Sequence, residues 1–309
     1  MNLDHLIAKT RKGYCLARPT LSVFLYSDVP VHQLGPHAAA AIEAYIQFIG
    51  ADVLKVCVGN NGELRPLTAR KVAKDLKQLR QFPAELAAAW IEYDADPQGW
   101  VGDFGLLLYA TNFAVVEHGP SSDNLLRLDF PAAFAEQIGI DAFIDFLLRL
   151  VKLFPIESGN AGLTFKRTSW TEGTATEHVN RLLPRYLAFD PCYQDVQQDL
   201  RGRTTWAHWI NLLGAGLAQG LGGTARIAAA LPGADVRELP GGGCFIRNAM
   251  RPPVGDVNRQ APDIGLMPAC ARLLQPTRVR LTGLGDPEFE PEPWLARFDA
   301  MPARDWNPA

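Results

Sequence analysis

Apolar positions along this chain follow two periods, and their alternation outlines a fold before any chemistry is considered. Thr20 to Tyr26 is a dense run of β-branched, aromatic and aliphatic residues between Pro19 and the Ser27-Asp28 turn signal, which predicts a strand. Over Pro36 to Ile49 the apolar positions Ala41, Tyr45, Phe48 and Ile49 recur at helical spacing, and Gly50 supplies a stop. Val53 to Val58 is a short apolar segment that ends in the turn Gly59 to Gly62. Thr68 to Phe82 is the clearest amphipathic helix, with Val72, Leu76 and Leu79 on one side and Arg70, Lys71, Lys74 and Lys77 on the other. Glu85 to Trp90 reads either as a short helix or as the entry to a strand carrying Ile91 and Tyr93. Asp103 to Phe113 and Asn124 to Phe130 are strand-like and, being sequential, most simply antiparallel. Pro131 opens a helix whose part from Ile140 to Leu153 has one polar stripe, so Phe143, Ile144, Leu147, Leu148 and Val151 are expected in the core.

In the second half, Pro155 to Gly162 (PIESGNAG) reads as a turn-rich break, Leu163 to Thr168 as a strand and Thr176 to Leu183 as a helix. The spacing of Trp206, Ile210, Leu213 and Leu217 predicts a last large helix over Trp206 to Ala218. Asp235 to Leu239 and Cys244 to Asn248 flank three glycines as a closing hairpin. The expected fold is α+β (mixed α/β), with a central, largely antiparallel sheet flanked by helices and room for a loosely duplicated architecture. Residues 1–285 read as a single domain, or as two intimately packed halves of about 1–150 and 151–285. Residues 286–309 read as an extended tail anchored by Trp294, Phe298 and Trp306.

Composition narrows the function classes. A net charge of -3 gives the whole molecule no positive field to draw in a nucleic acid backbone. The five cysteines are an odd number, widely spaced and without a C-x-x-C pair, which suits free thiols in a reducing compartment. The apolar run after Lys9, Arg11 and Lys12 is shorter than a secretion signal, and no segment approaches the ~20 apolar residues of a membrane span. A cytoplasmic protein is expected.

No phosphate-binding loop, zinc helix motif, calcium loop or nucleophile elbow is present. Gly214 to Gly220 has the glycine content of a dinucleotide loop, but a helix is predicted before it where a strand is required. Glu92, Asp94 and Asp96 alternate, so on an extended strand they would share one face, as a hard-cation site or, since no further ligand is near, as an acidic docking edge. Glu157 and Ser158 occupy the predicted turn after the buried helix, a position where function concentrates; the plain alternative is a capped turn. The cations of the 68–82 helix read as a solvated face. No catalytic, cofactor-binding or metal residues are assigned. The protein-contact candidates are Glu92, Asp94, Asp96, Glu157, Ser158, Glu288, Glu290 and Glu292.

Four blocks carry a resemblance: TLSVFLYS at Thr20 to Ser27, DFGLLLYA at Asp103 to Ala110, LFPIESGNAGLTF at Leu153 to Phe165, and WAHWINLLGAGLAQGLGG at Trp206 to Gly223. Over roughly residues 18 to 285 the chain resembles the type VI secretion immunity proteins, formerly a proteobacterial domain of unknown function. Ser158, Gly159, Ala161 and Gly162 match that family's turn, whereas Asn160 stands where an aromatic residue is expected. The resemblance implies a non-enzymatic protein without cofactor that binds a cognate effector toxin, one to one, and it carries over no catalytic residue. An uncommon hydrolase or nucleotide-using enzyme, and a non-catalytic adaptor, are the alternatives; self-association is left open.

Overall fold

The computed structural model describes residues 3–59, 62–113, 115, 123–168, 171–191, 200–259, 263–279, 294, 296–299 and 301. In chain order the elements are β1 (Ala8–Lys9), β2 (Cys15–Ser27), α1 (Val31–Ile49), β3 (Val56–Val58), β4 (Leu64–Pro66), α2 (Ala69–Arg80), β5 (Ala88–Asp94), β6 (Gly105–Thr111), β7 (Asn124–Pro131), α3 (Phe134–Ile138), α4 (Ile140–Leu153), β8 (Ser158–Lys166), α5 (Glu172–Leu182), β9 (Ile210–Leu213), α6 (Ala215–Gly220), α7 (Gly223–Ala230), β10 (Asp235–Leu239), β11 (Gly243–Arg247) and α8 (Met267–Leu274). One sheet runs in the order β10-β11-β9-β8-β2-β7-β6-β5-β3-β4, with β1 added to β2, and every ladder between named strands is antiparallel. The molecule is therefore a mixed α/β fold on an antiparallel sheet flanked by helices.

Strand β2 sits near the middle of the sheet, and its alternation divides the core. Leu21, Val23 and Leu25 face α1 and α4, joined by Leu106, Leu108, Leu126 and Leu128 from β6 and β7. The Tyr45 hydroxyl donates to the Asp129 carbonyl at 2.6 Å, tying α1 to the sheet backbone. Phe24, Tyr26, Leu107 and Leu125 belong to a second cluster built with Trp206, Phe189, Met267, Trp294 and Phe298. Trp294 and Phe298 are thus buried, while Trp306 lies outside the described residues.

In α4, Phe143, Ile144 and Leu147 are buried as the polar stripe predicts, but Leu148 and Val151 are only partly so and flank the contact. Leu147 has no exposed surface. Leu147→Ala is expected to cost about 2 to 5 kcal/mol. A urea titration showing an unchanged midpoint and slope would contradict this packing.

Two segments depart from the expected elements. Residues 158–162 are not a turn: they begin β8, every residue of which is buried, and which pairs with β2 along its length and with β9 over Ser158 to Ala161. The small residues that mimic a turn signal serve close packing in the sheet. The predicted 206–218 helix is instead the buried strand β9 followed by the short helices α6 and α7. The helical spacing of Trp206, Ile210 and Leu213 was coincidental, because a strand packed on both faces carries apolar residues at consecutive positions. Helix α1 also starts earlier than Pro36, at Val31, where the buried Val31 and Leu34 extend the packed face. Residues 88–94 are strand throughout.

Candidate interaction site

The alternating acids at 92–96 do not form an exposed edge. β5 lies between β6 and β3, and Glu92 and Asp94 are each 4% exposed. The strand ends at Asp94; Asp96 lies in the following turn, where its carboxylate accepts from the Gln98 amide and its own amide donates to Asp94 Oδ1. Sequence reading assumed that carboxylates seek water, but Asp94 has a buried cation instead. Lys166 of β8, 1% exposed, places Nζ 2.7 Å from Asp94 Oδ2 and 3.7 Å from Asp129 Oδ2, and donates to the carbonyls of Gly102 and Phe104. Arg127 Nε lies 3.2 Å from Asp129 Oδ2, and Ser22 Oγ donates to Asp129 Oδ1 at 2.7 Å. Burial raises the Asp94 carboxyl pKa, with Lys166 pulling the other way. Gly105 completes the cluster, since a Cβ there would collide with Lys166 Nζ. The network is internal and joins β2, β5, β7 and β8.

The second predicted pair separates. Ser158 is fully buried in β8, whereas Glu157, just before the strand, is half-buried. Glu157 Oε1 accepts from the Gly202 amide at 2.8 Å. Asp123 and Glu157 lie at the starts of β7 and β8 and Asp28 just past the end of β2, so the antiparallel order gathers three carboxylates at one end of the sheet. Burial, followed by the Glu157 charge, pushes the Asp123 pKa up to about 9, and neither of its buried carboxylate oxygens has a hydrogen-bond partner among the described residues. Two ionised carboxylates offer only acceptors, so protonation of one supplies the donor that the pair lacks. Beside them Asp28, Glu157, Gly202, Gly214, Leu217 and Thr277 line a depression of about 510 Å³.

Gly214 to Gly220 does follow a strand, contrary to the expectation. It still lacks the setting of a dinucleotide loop: β9 is antiparallel to both neighbours, and the named strands of the described residues form no parallel βαβ unit. Gly214 is there for contact, because a Cβ would stand 2.6 Å from the Ile156 carbonyl oxygen.

Neither Glu157 nor Ser158 is hydrogen-bonded to a histidine among the described residues. The buried His208 has Asp190 Oδ2 at 3.6 Å, and burial depresses its pKa to about 3, leaving a neutral ring. Among the described residues no three His, Cys, Asp or Glu side chains converge to hold a metal, and no helix is long and apolar enough to cross a membrane. Cys15, Cys57, Cys244 and Cys270 are free thiols, and burial raises the pKa of each. Glu288, Glu290 and Glu292 lie outside the described residues.

A further surface feature lies beyond the reach of the sequence patterns. A groove of about 770 Å³ runs between α2 and the outer side of β5, with Phe82, Leu86 and Ile91 among its apolar walls and Arg65, Lys71 and Lys74 among its polar ones. Lys71 is held by Asp75 at 2.5 Å, and the Tyr93 hydroxyl donates to the same carboxylate at 2.6 Å. Sequence reading found the cations of α2 but had no means of seeing the strand opposite them.

Residues 38–307 match the family described as TsiV, type VI immunity for VRR-NUC. Among solved structures, the Pseudomonas aeruginosa T6SS protein PA0821 is similar at a TM-score of 0.77 and 17% identity, covering 95% of this chain and 87% of that one. At that identity the likeness speaks for the fold. No curated protein matches.

Proposed function

This chain belongs to the family of type VI immunity proteins for VRR-NUC, and on that premise we propose that it protects its producer by binding a VRR-NUC effector directly, one to one, in the cytoplasm. The match over residues 38–307 is the observation that carries this reading. We take the effector to be a nuclease. The fold suits such a role: a continuous sheet with a packed cluster on each side holds its surface features in fixed relation, so little ordering cost falls on association.

Of the acidic contact candidates, Glu92 and Asp94 are buried and already engaged in the interior, and Ser158 is buried elsewhere in the sheet, at the start of β8. The partly exposed Asp96 and Glu157, with Glu288, Glu290 and Glu292, keep a proposed part in steering association toward a basic effector surface. Co-expression with the effector encoded by the adjacent gene tests the reading. Restored growth together with co-purification is expected. A verified toxic neighbour that is neither bound nor neutralised would remove the proposal.

A further inference from the structure

We propose that the groove between α2 and β5 receives an extended, carboxylate-bearing segment of the effector as an added β-strand; this rests on the function proposed above. β3 leaves part of the β5 edge uncovered. β3 pairs with β5 only at Tyr93 and Asp94, whereas β6 pairs along the whole of Ala88 to Asp94. On the β3 side the Asp94 carbonyl accepts from the Lys55 amide at 2.8 Å. In an antiparallel ladder the backbone groups alternate sides with a period of two, so Trp90 and Ala88 turn theirs the same way. Beyond the end of β3 no described strand meets them.

An open edge of this kind is a template that proteins normally cover or blunt. Here it is flanked by an exposed apolar surface: Leu86 is 49% exposed, and Trp90, packed edge to face on Tyr109, is 46% exposed. The opposite wall carries an uncompensated positive charge at Lys74. Lys71 is neutralised by Asp75 and Arg65 pairs with Glu63, but Lys74 forms no ion pair among the described residues. Alternating amide donors and carbonyl acceptors complement a peptide backbone, while a phosphate backbone offers acceptors alone; Lys74 then selects a carboxylate on the incoming strand. The groove therefore fits an acidic peptide segment better than a nucleic acid.

The test uses the full chain and the purified effector in catalytically silent form. Hydrogen exchange of the wild-type complex is expected to slow at the Ala88 and Trp90 amides, which are open in the free protein. Lys74→Glu, on an exposed helix face, is expected to weaken binding at least about 30-fold, the size of a hot-spot loss, with an unchanged denaturation midpoint. Protection elsewhere with Ala88 and Trp90 unchanged, or affinity within about threefold of wild type, would overturn the groove assignment while leaving the immunity reading intact. Self-association through the same edge, or capture of an oligonucleotide there instead of the effector, would also overturn it. Failure of the wild-type protein to bind would instead count against the immunity reading itself.

Discussion

Lys166→Ala is expected to lower the unfolding free energy by about 3 to 5 kcal/mol, the cost of leaving buried carboxylates without their cation. The ammonium is 1% exposed and contacts Asp94 at 2.7 Å, two backbone carbonyls and, at 3.7 Å, Asp129. Removing it strands acceptors that water cannot readily reach, so the penalty exceeds the net worth of the ion pair. Pairing Lys166→Met with Asp94→Asn should lose less than the sum of the two single changes, because each single variant leaves the other charge exposed to the same interior. Urea denaturation of the four proteins measures this. Additive losses would mean that the two groups are not coupled as their distance requires.

The second large effect depends on pH. Asp123 has its carboxyl pKa raised from 3.8 to about 9 in the folded protein, through burial and the neighbouring Glu157. Between those values the native state holds a proton that the unfolded chain has released, so this group's stabilisation is complete below the unfolded pKa. It falls as pH rises, by up to about 1.4 kcal/mol per unit, and is lost once pH passes the folded pKa. Asn in place of Asp123 keeps an N–H donor toward Glu157 without a titrating proton. The stability of Asp123→Asn relative to wild type should therefore improve steadily from about pH 4 to pH 9 and then level off. Parallel profiles across that range would contradict the raised Asp123 pKa.

Legibility followed the kind of packing each segment enters. Helices α2 and α4 each present one wet face, so their polar stripes were readable directly. β2, β6 and β7 are rich in aliphatic and aromatic residues and were readable as strands. β8 was hidden by Gly159, Ala161 and Gly162, since the same small residues serve a turn and a tightly packed central strand. β9 was hidden by an accidental helical spacing within a strand buried on both faces.

The site was less legible still. In sequence Glu92 and Asp94 read as an exposed acidic edge, because charged side chains are seldom buried. Their burial depends on pairing across β3, β5 and β6, and Asp94 meets a lysine 72 residues further along the chain. Asp28, Asp123 and Glu157 converge only because three strands end together. The α2 groove likewise exists because β3 stops short of Trp90, a register fact that no local pattern encodes.

The central claim is that this chain neutralises its effector by forming a complex with it. Titrating the purified protein into a fixed amount of active effector, while following cleavage of a nucleic acid substrate, tests this most directly. Activity is expected to fall linearly to zero at one equivalent, and calorimetry under the same conditions is expected to give a one-to-one complex. Full nuclease activity in the presence of several equivalents, with no heat of binding, would contradict it.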